Sequence, residues 1–332
     1  MKAEDFIQSS ATVRIYETKL LNSQFLARMA EAKDFEEAMK MLSETVYQGP
    51  LSRIDDPRNY GQALDEELTK TYETVREMNQ GKHIYNFQTL RYSFHNLKVL
   101  VKEHILGEDF SGILSKLGTV DPTEVRAQLK SGSYNYDVEF MDYVKAVMDD
   151  YEKYNDPQRI DIMLDKFYLK EALKYAEKMN FKLFVEYAKD LTDVSNIKSI
   201  LRAKNQHKDL EFVKGILVDT GRVDPEFLLT IYYEDIETIL ERLLTTSISS
   251  VIKDELDNYR MTGRLQAIEK ALENHLMDRV KESKGITYGP EILFAYLQSK
   301  EAEIKNLRII LTSKLNGLSN EDIRERLRDG YV

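Results

Sequence analysis

An all-α fold is predicted for this 332-residue chain by three observations. Glycine (14) and proline (6) are both scarce, while Ala, Leu, Glu, Lys and Ile recur at spacings of three and four, the period of an amphipathic helix. Four prolines stand in Asp-Pro pairs: Asp56-Pro57, Asp121-Pro122, Asp156-Pro157 and Asp224-Pro225. An N-cap aspartate accepts from exposed backbone N–H groups, and proline at the first helical position gives up a donor that would be unsatisfied there anyway. The third observation is one helix written three times. Asn96-Leu97-Lys98 with Leu100-Val101 returns as Asn196-Ile197-Lys198 with Ile200-Leu201, and again as Asn306-Leu307-Arg308 with Ile310-Leu311.

Taken in order, the elements fall into three units, 1–118, 119–221 and 222–332. In the first, Arg14-Ile15 opens a long amphipathic pattern, and extra sequence from about Leu42 to Gln88 contains the candidate loop "GPLSRIDDPRNYGQ". The helix of Asn96 follows, and Gly118 in "GTVDP" is expected to close the helix before it. The second unit starts at Asp121-Pro122, where Glu124 completes a capping-box pattern. "SGSYNYD", Ser131 to Asp137, reads as an exposed connection, Arg159-Ile160 opens a long helix, and the helix of Asn196 leads to Gly221 in "GRVDP". The third unit repeats the order through Asp224-Pro225, Arg264-Leu265 and the helix of Asn306, and reaches "GYV" at Gly330 to Val332. No Pro-rich or low-complexity linker separates the units, so they are expected to pack on one another. Solenoid repeats run about 20 to 50 residues, too short for these units, which are three related helical domains in an open row or around a pseudo-threefold axis.

Composition narrows the function. With 57 acidic and 47 basic side chains the formal charge is −10, which opposes docking on nucleic acid. Without cysteine there are no disulfides, thiolate metal sites or cysteine nucleophiles, and the default compartment is the cytoplasm. "MKAEDFIQSS" lacks the apolar core of a signal peptide, and runs such as Ile292 to Leu297 are too short to span a bilayer, so membrane association is expected to be peripheral.

Catalytic patterns are absent from the sequence: no HExxH pair among the five histidines, no GxxxxGK[ST] or GxGxxG, no GxSxG. The 20 tyrosines are spread along helices, as core edges and interfaces would place them. No cofactor or metal is expected. On the repeated helix, at 100° per residue, the aliphatic residues form one buried stripe, with the asparagine and the cation on opposite, semi-exposed flanks. Two readings stay open there. Asn96, Asn196 and Asn306 with Lys98, Lys198 and Arg308 could form equivalent docking surfaces. Alternatively, each asparagine bonds a neighbouring backbone and each cation is solvated.

The stretches "IDIMLDKFYLKEALKYAEKM", Ile160 to Met179, and "DLTDVSNIKSILRAKN", Asp190 to Asn205, resemble the central part of the C subunit of archaeal and bacterial V/A-type ATPases, related to the eukaryotic d subunit. Tyr288 to Arg328 resembles that family's closing segment, with Lys300, Glu301, Glu303 and Asn306 on its Lys-Glu-x-Glu-x-x-Asn pattern; "VRIYETKLL" and "TVYQGPL" agree more loosely. The resemblance implies a funnel of three helical domains about a pseudo-threefold axis. Such a funnel caps the cytoplasmic side of the membrane rotor ring and receives the central shaft subunits, as a coupling part and not an enzyme. Lys300, Glu301 and Glu303 join the docking candidates on that basis. The first copy departs from the pattern, with Leu90 and Arg91 where the third has Lys300 and Glu301. A soluble three-lobed scaffold unrelated to the motor is the alternative.

Overall fold

In a computed structural model, which describes residues 1–332, the chain is helical throughout with no strand. The first helices are α1 (Ile7–Glu17), α2 (Ser23–Glu31), α3 (Phe35–Ser43), α4 (Gln48–Leu51), α5 (Tyr60–Glu77) and α6 (Gly81–Leu106). There follow α7 (Pro122–Ser131), α8 (Met141–Tyr154), α9 (Pro157–Met179), α10 (Lys182–Asn205) and α11 (Leu210–Ile216). The last are α12 (Pro225–Ile231), α13 (Ile236–Leu243), α14 (Ser249–Thr262), α15 (Gln266–Lys281), α16 (Pro290–Leu315) and α17 (Asn320–Arg326).

The Asp-Pro starts are where the sequence places them. Asp121, Asp156 and Asp224 accept from Thr123 N, Gln158 N and Glu226 N at the heads of α7, α9 and α12, each with proline in the first turn. Asp56 accepts from Arg58 N and opens the 3-10 turn Pro57–Asn59, which leads into α5. Three expectations need correction. The candidate loop from Gly49 to Gln62 is partly helical, because α4 runs to Leu51 and α5 begins at Tyr60. Arg14-Ile15 lies near the end of α1, where the Arg14 guanidinium donates to Ser283 O (3.1 Å) and Ile286 O (2.9 Å). Gly118 and Gly221 do not stop helices, since α6 ends at Leu106, followed by Gly107 at φ +68, and α11 ends at Ile216.

The chain forms two compact units, Met1–Tyr85 with Lys270–Val332, and Asn86–Glu269. In the first, α16 is the central helix, packed against α1, α2, α3, α5 and α17. Residues 290–297 are all buried, so this part of the helix has no polar face; such a helix belongs to a core. Tyr16 stacks on Tyr296 with centroids 6.0 Å apart, and Val332 O accepts from Ser23 N (3.2 Å), tying the segment after α17 to the start of α2. In the second unit, α9 packs between α8 and α10, and α13 packs on α14. There the half-buried Tyr143 stacks on Phe167 (4.4 Å) beside the Phe94–Phe140 pair (4.9 Å).

Candidate interaction site along the repeated helix

The three copies of the asparagine motif lie on α6, α10 and α16 and do one thing in common. Asn96 donates through Nδ2 to Ser115 O (2.9 Å) and accepts through Oδ1 from Ser115 N (2.8 Å). Asn196 makes the same pair of bonds to Val218 O (2.7 Å) and Val218 N (3.0 Å). Asn306 makes it to Arg328 O (2.9 Å) and Arg328 N (2.9 Å). A primary amide has one donor and one acceptor edge side by side, so it satisfies both polar groups of one backbone residue at once. Each asparagine therefore clamps the segment that follows on from its own helix.

This overturns the semi-exposed placement of the three asparagines. Each is 1 % exposed. Helical geometry set them on the flank of the stripe, but the clamped segment folds over that flank and removes it from solvent. As docking groups Asn96, Asn196 and Asn306 are corrected to internal fastenings.

A second position repeats as well. Three residues before each asparagine, near the middle of the buried stripe, stands a polar residue: Ser93, Asp193 or Glu303. Ser93 Oγ accepts from Thr119 N (2.9 Å) and meets Thr119 Oγ1 (2.8 Å). Asp193 Oδ1 accepts from Arg222 N (2.8 Å) and Val223 N (2.9 Å). Glu303 Oε2 accepts from Leu21 N (2.5 Å). All three hold backbone just ahead of an N-cap, at Asp121, Asp224 and Asn22. The glycines belong to these fastenings. A Cβ on Gly118 would lie 2.3 Å from Asn96 Nδ2, and one on Gly221 would lie 2.1 Å from Asp193 Oδ1. Glycine is there for close approach, not for a left-handed turn.

The copies differ in charge. On α10, buried Asp190 and Asp193 share Arg222, which also pairs with Glu186 (2.5 Å). Burial pushes the Asp193 carboxyl up from its ordinary value, while the Val223 and Arg222 N–H groups pull it back. On α16, Lys300 is 2 % exposed and pairs with Glu303 (2.8 Å), whose Oε1 also accepts from Tyr47 OH (2.6 Å). Burial, then the nearby Glu303 carboxylate, raises the Tyr47 phenol well above its usual range. Tyr72 OH donates to Glu301. As docking candidates Lys300 and Glu303 are corrected to an internal ion pair, and Glu301 is committed to Tyr72 of the same unit. On α6 the corresponding positions carry Leu90 and Ser93, without charge.

The three cations are in a different environment. Lys98, two residues after its asparagine, pairs with Asp165 (2.5 Å), and Lys102 pairs with Asp161 (2.6 Å), both acids on α9. Arg308 pairs with Asp65 (2.5 Å) on α5, and Thr312 meets Tyr60 OH (2.7 Å). Lys198 is half-buried, and Arg202, one turn on, pairs with Glu269 (2.7 Å). The Lys98 and Arg308 pairs are partly open to water, where such pairs contribute about 0–1 kcal/mol. A partner's acid could therefore compete for these cations without undoing the core.

Tyr47, Glu67, Ser93, Asp190, Asp193 and Arg222 complete these networks, and sequence reasoning passed over them. For Ser93, Asp190 and Asp193 the signal was polarity on the buried stripe. At 100° per residue, positions three and six before the asparagine fall within about 35° of its centre. One cleft of about 370 Å³ is lined in part by Lys270, Lys281, Arg324 and Arg328, and all four already bond acids or a carbonyl of the same unit. No three His, Asp or Glu side chains converge to hold a metal ion, and no helix is long and apolar enough to cross a membrane.

An internally repeated all-α protein, fastened by reciprocal amide clamps, is the class these features define. The chain belongs to the ATP synthase (C/AC39) subunit family, whose model matches residues 9–326. It is 25% identical to the C subunit of the V-type sodium ATPase of Enterococcus hirae, over 98% of this chain and 99% of the relative. It is also 25% identical to the C subunit of the A-type ATP synthase of Methanocaldococcus jannaschii, over 96% and 85% of the two chains. Against that of Thermococcus gammatolerans it is 26% identical, over 95% and 88%.

Proposed function

We propose that this chain is the non-catalytic coupling part of a rotary V/A-type ATPase, seated peripherally on the cytoplasmic face of the membrane. There it joins the central shaft subunits to the membrane rotor ring and transmits torque between them, with no cofactor and no nucleic acid as partner. The observation that carries the proposal is the correspondence with the Enterococcus hirae C subunit along almost the full length of both chains. The repeated fastenings support it physically. A part that passes torque must resist twisting, and every clamp ties backbone on both sides of a connection into packed helix. In this proposal the units 1–118, 119–221 and 222–332 are related domains about a pseudo-threefold axis, and Lys98, Lys198 and Arg308 dock partners whose contacts bury on the order of 2,000 Å² or more.

The test is affinity purification of the tagged chain from detergent-solubilised membranes of its own source. Recovery of ring and shaft subunits in constant proportion is expected. Recovery of soluble proteins alone would overturn the proposal in favour of a helical scaffold outside the motor.

A further inference from the structure

Glu67 sits at a core position of α5. The buried residues of that helix include Ala63, Leu64, Glu67, Leu68, Thr71, Tyr72 and Val75, the three-and-four spacing of a helix face turned inward. Its Oε1 is 3.7 Å from the Lys300 ammonium, and its Oε2 is buried without a hydrogen-bond partner. The same ammonium is 2.8 Å from Glu303 and lies 5.2 Å from the centre of the Tyr47 ring. Glu303 is well satisfied, with Lys300, Tyr47 OH and Leu21 N all on its oxygens. One buried cation thus serves two buried carboxylates, and its hydrogen bond goes to Glu303.

Every element around Glu67 contributes to its field. Lys70, one turn on along α5, and Lys300 on α16 favour the carboxylate; Glu303 on α16 disfavours it. Tyr296 on α16 and Tyr47 at the head of α4 are phenols whose own ionisation burial suppresses, so they remain neutral. Tyr16 of α1 closes the side beyond Tyr296.

We propose that Glu67 is a proton-binding site, which holds a proton in the packed state of α5 against α16 and releases it to water when that packing opens. The reaction is balanced as a carboxylic acid giving a carboxylate and a proton to solvent. It requires no other group to change, because the Lys300–Glu303 pair is neutral by itself. Burial raises the Glu67 carboxyl above the ordinary glutamate value, and Lys300 and Lys70 only partly oppose this. Since the packed state binds the proton more tightly, acid closes the joint and alkali loosens it. Opening of α5 rises up to tenfold per pH unit from the ordinary glutamate value of about 4.3, then levels off above the raised value of the packed state.

The experiment is hydrogen–deuterium exchange of the full chain as a function of pH, corrected for the chemical exchange rate and read on peptides covering Tyr60–Glu77. Wild type should show opening that climbs with pH and then levels, while Glu67→Gln, which mimics the protonated acid, should give a flat profile. Peptides from α9 serve as the reference and should not distinguish the two proteins. Equal profiles for wild type and Glu67→Gln on α5 would overturn the proposal. Should the glutamine variant not fold, Glu67→Met fills the same volume without a titrating group and is expected to be flat likewise. Should neither fold, the wild-type profile decides: a climb that levels supports the site, and a flat line refutes it.

Discussion

Replacing Asn196 tests the clamp where both of its bonds are buried. In Asn196→Ala, Val218 N and Val218 O lose their partners together. A buried polar group left unpaired costs about 1–3 kcal/mol, so the pair predicts a loss of about 2–6 kcal/mol, a large share of the roughly 5–15 kcal/mol that holds a domain together. Asn196→Asp separates the two bonds. At neutral pH its carboxylate still accepts from Val218 N but faces Val218 O with no proton between them, so the variant should be at least as damaged as the alanine one. In acid the same carboxyl can protonate and donate to Val218 O, restoring the amide pattern. The introduced group has a raised pKa in the folded state, so its stabilising contribution is present at low pH and lost as pH rises through that value. The assay is the urea midpoint followed by far-ultraviolet circular dichroism at several pH values, with exposed Asn205→Ala as the control, expected within about 0.5 kcal/mol of wild type. An alanine variant no weaker than that control, or an aspartate variant that does not recover in acid, would refute the clamp as a source of stability.

Other expectations follow from the same geometry. Gly221→Ala forces a Cβ against Asp193 and should cost about 1–3 kcal/mol, whereas Gly215→Ala, with nothing within 4 Å, should be neutral or slightly stabilising; paired melting curves settle it. Lys300→Met removes the cation that is paired with buried Glu303 and lies beside Glu67, and should cost about 3–5 kcal/mol, as chemical denaturation would show. Reversing Lys98, Lys198 and Arg308 together to glutamate should reduce the ring and shaft subunits retained on the tagged chain at moderate salt, relative to reversal of Lys33, Lys145 and Lys253. Equal retention would remove these cations from the docking surface. Calorimetry with ATP and Mg²⁺ should show no heat beyond dilution.

The helices, their Asp-Pro caps and the threefold recurrence were legible in the sequence because each depends on local chemistry within one or two turns. For Asn96, Asn196 and Asn306 the pattern identifies the right helices and the wrong side of the solvent boundary. Their burial depends on segments about twenty residues further on, and a helical wheel contains no such information. Gly118 and Gly221 stand out in the sequence for a conformational reason and serve a steric one, since what crowds them is a side chain from a distant turn. Lys300 and Glu303 look like part of a charged face because they sit among other charges. Only the arrival of α5, Tyr47 and Leu21 makes that face an interior. Glu67 had a visible signal, an acid at an apolar spacing, but a single glutamate among Leu64, Leu68 and Thr71 reads equally well as the edge of a face.

The unit made of Met1–Tyr85 and Lys270–Val332 is discontinuous along the chain, and its central helix is translated after the whole of the other unit. As the protein leaves the ribosome, the stretch Asn86–Glu269 is complete first and can collapse on itself. Met1–Tyr85 cannot, because the surface that α1, α2, α3 and α5 cover belongs to α16. At about 5–20 residues per second, their apolar faces wait on the order of ten seconds or more before α16 emerges. During that interval the nascent N-terminal segment is a natural client for a holding chaperone. Premature termination after Glu269 but before α16 should leave a folded remnant of the middle of the chain attached to an N-terminal tail that proteases remove.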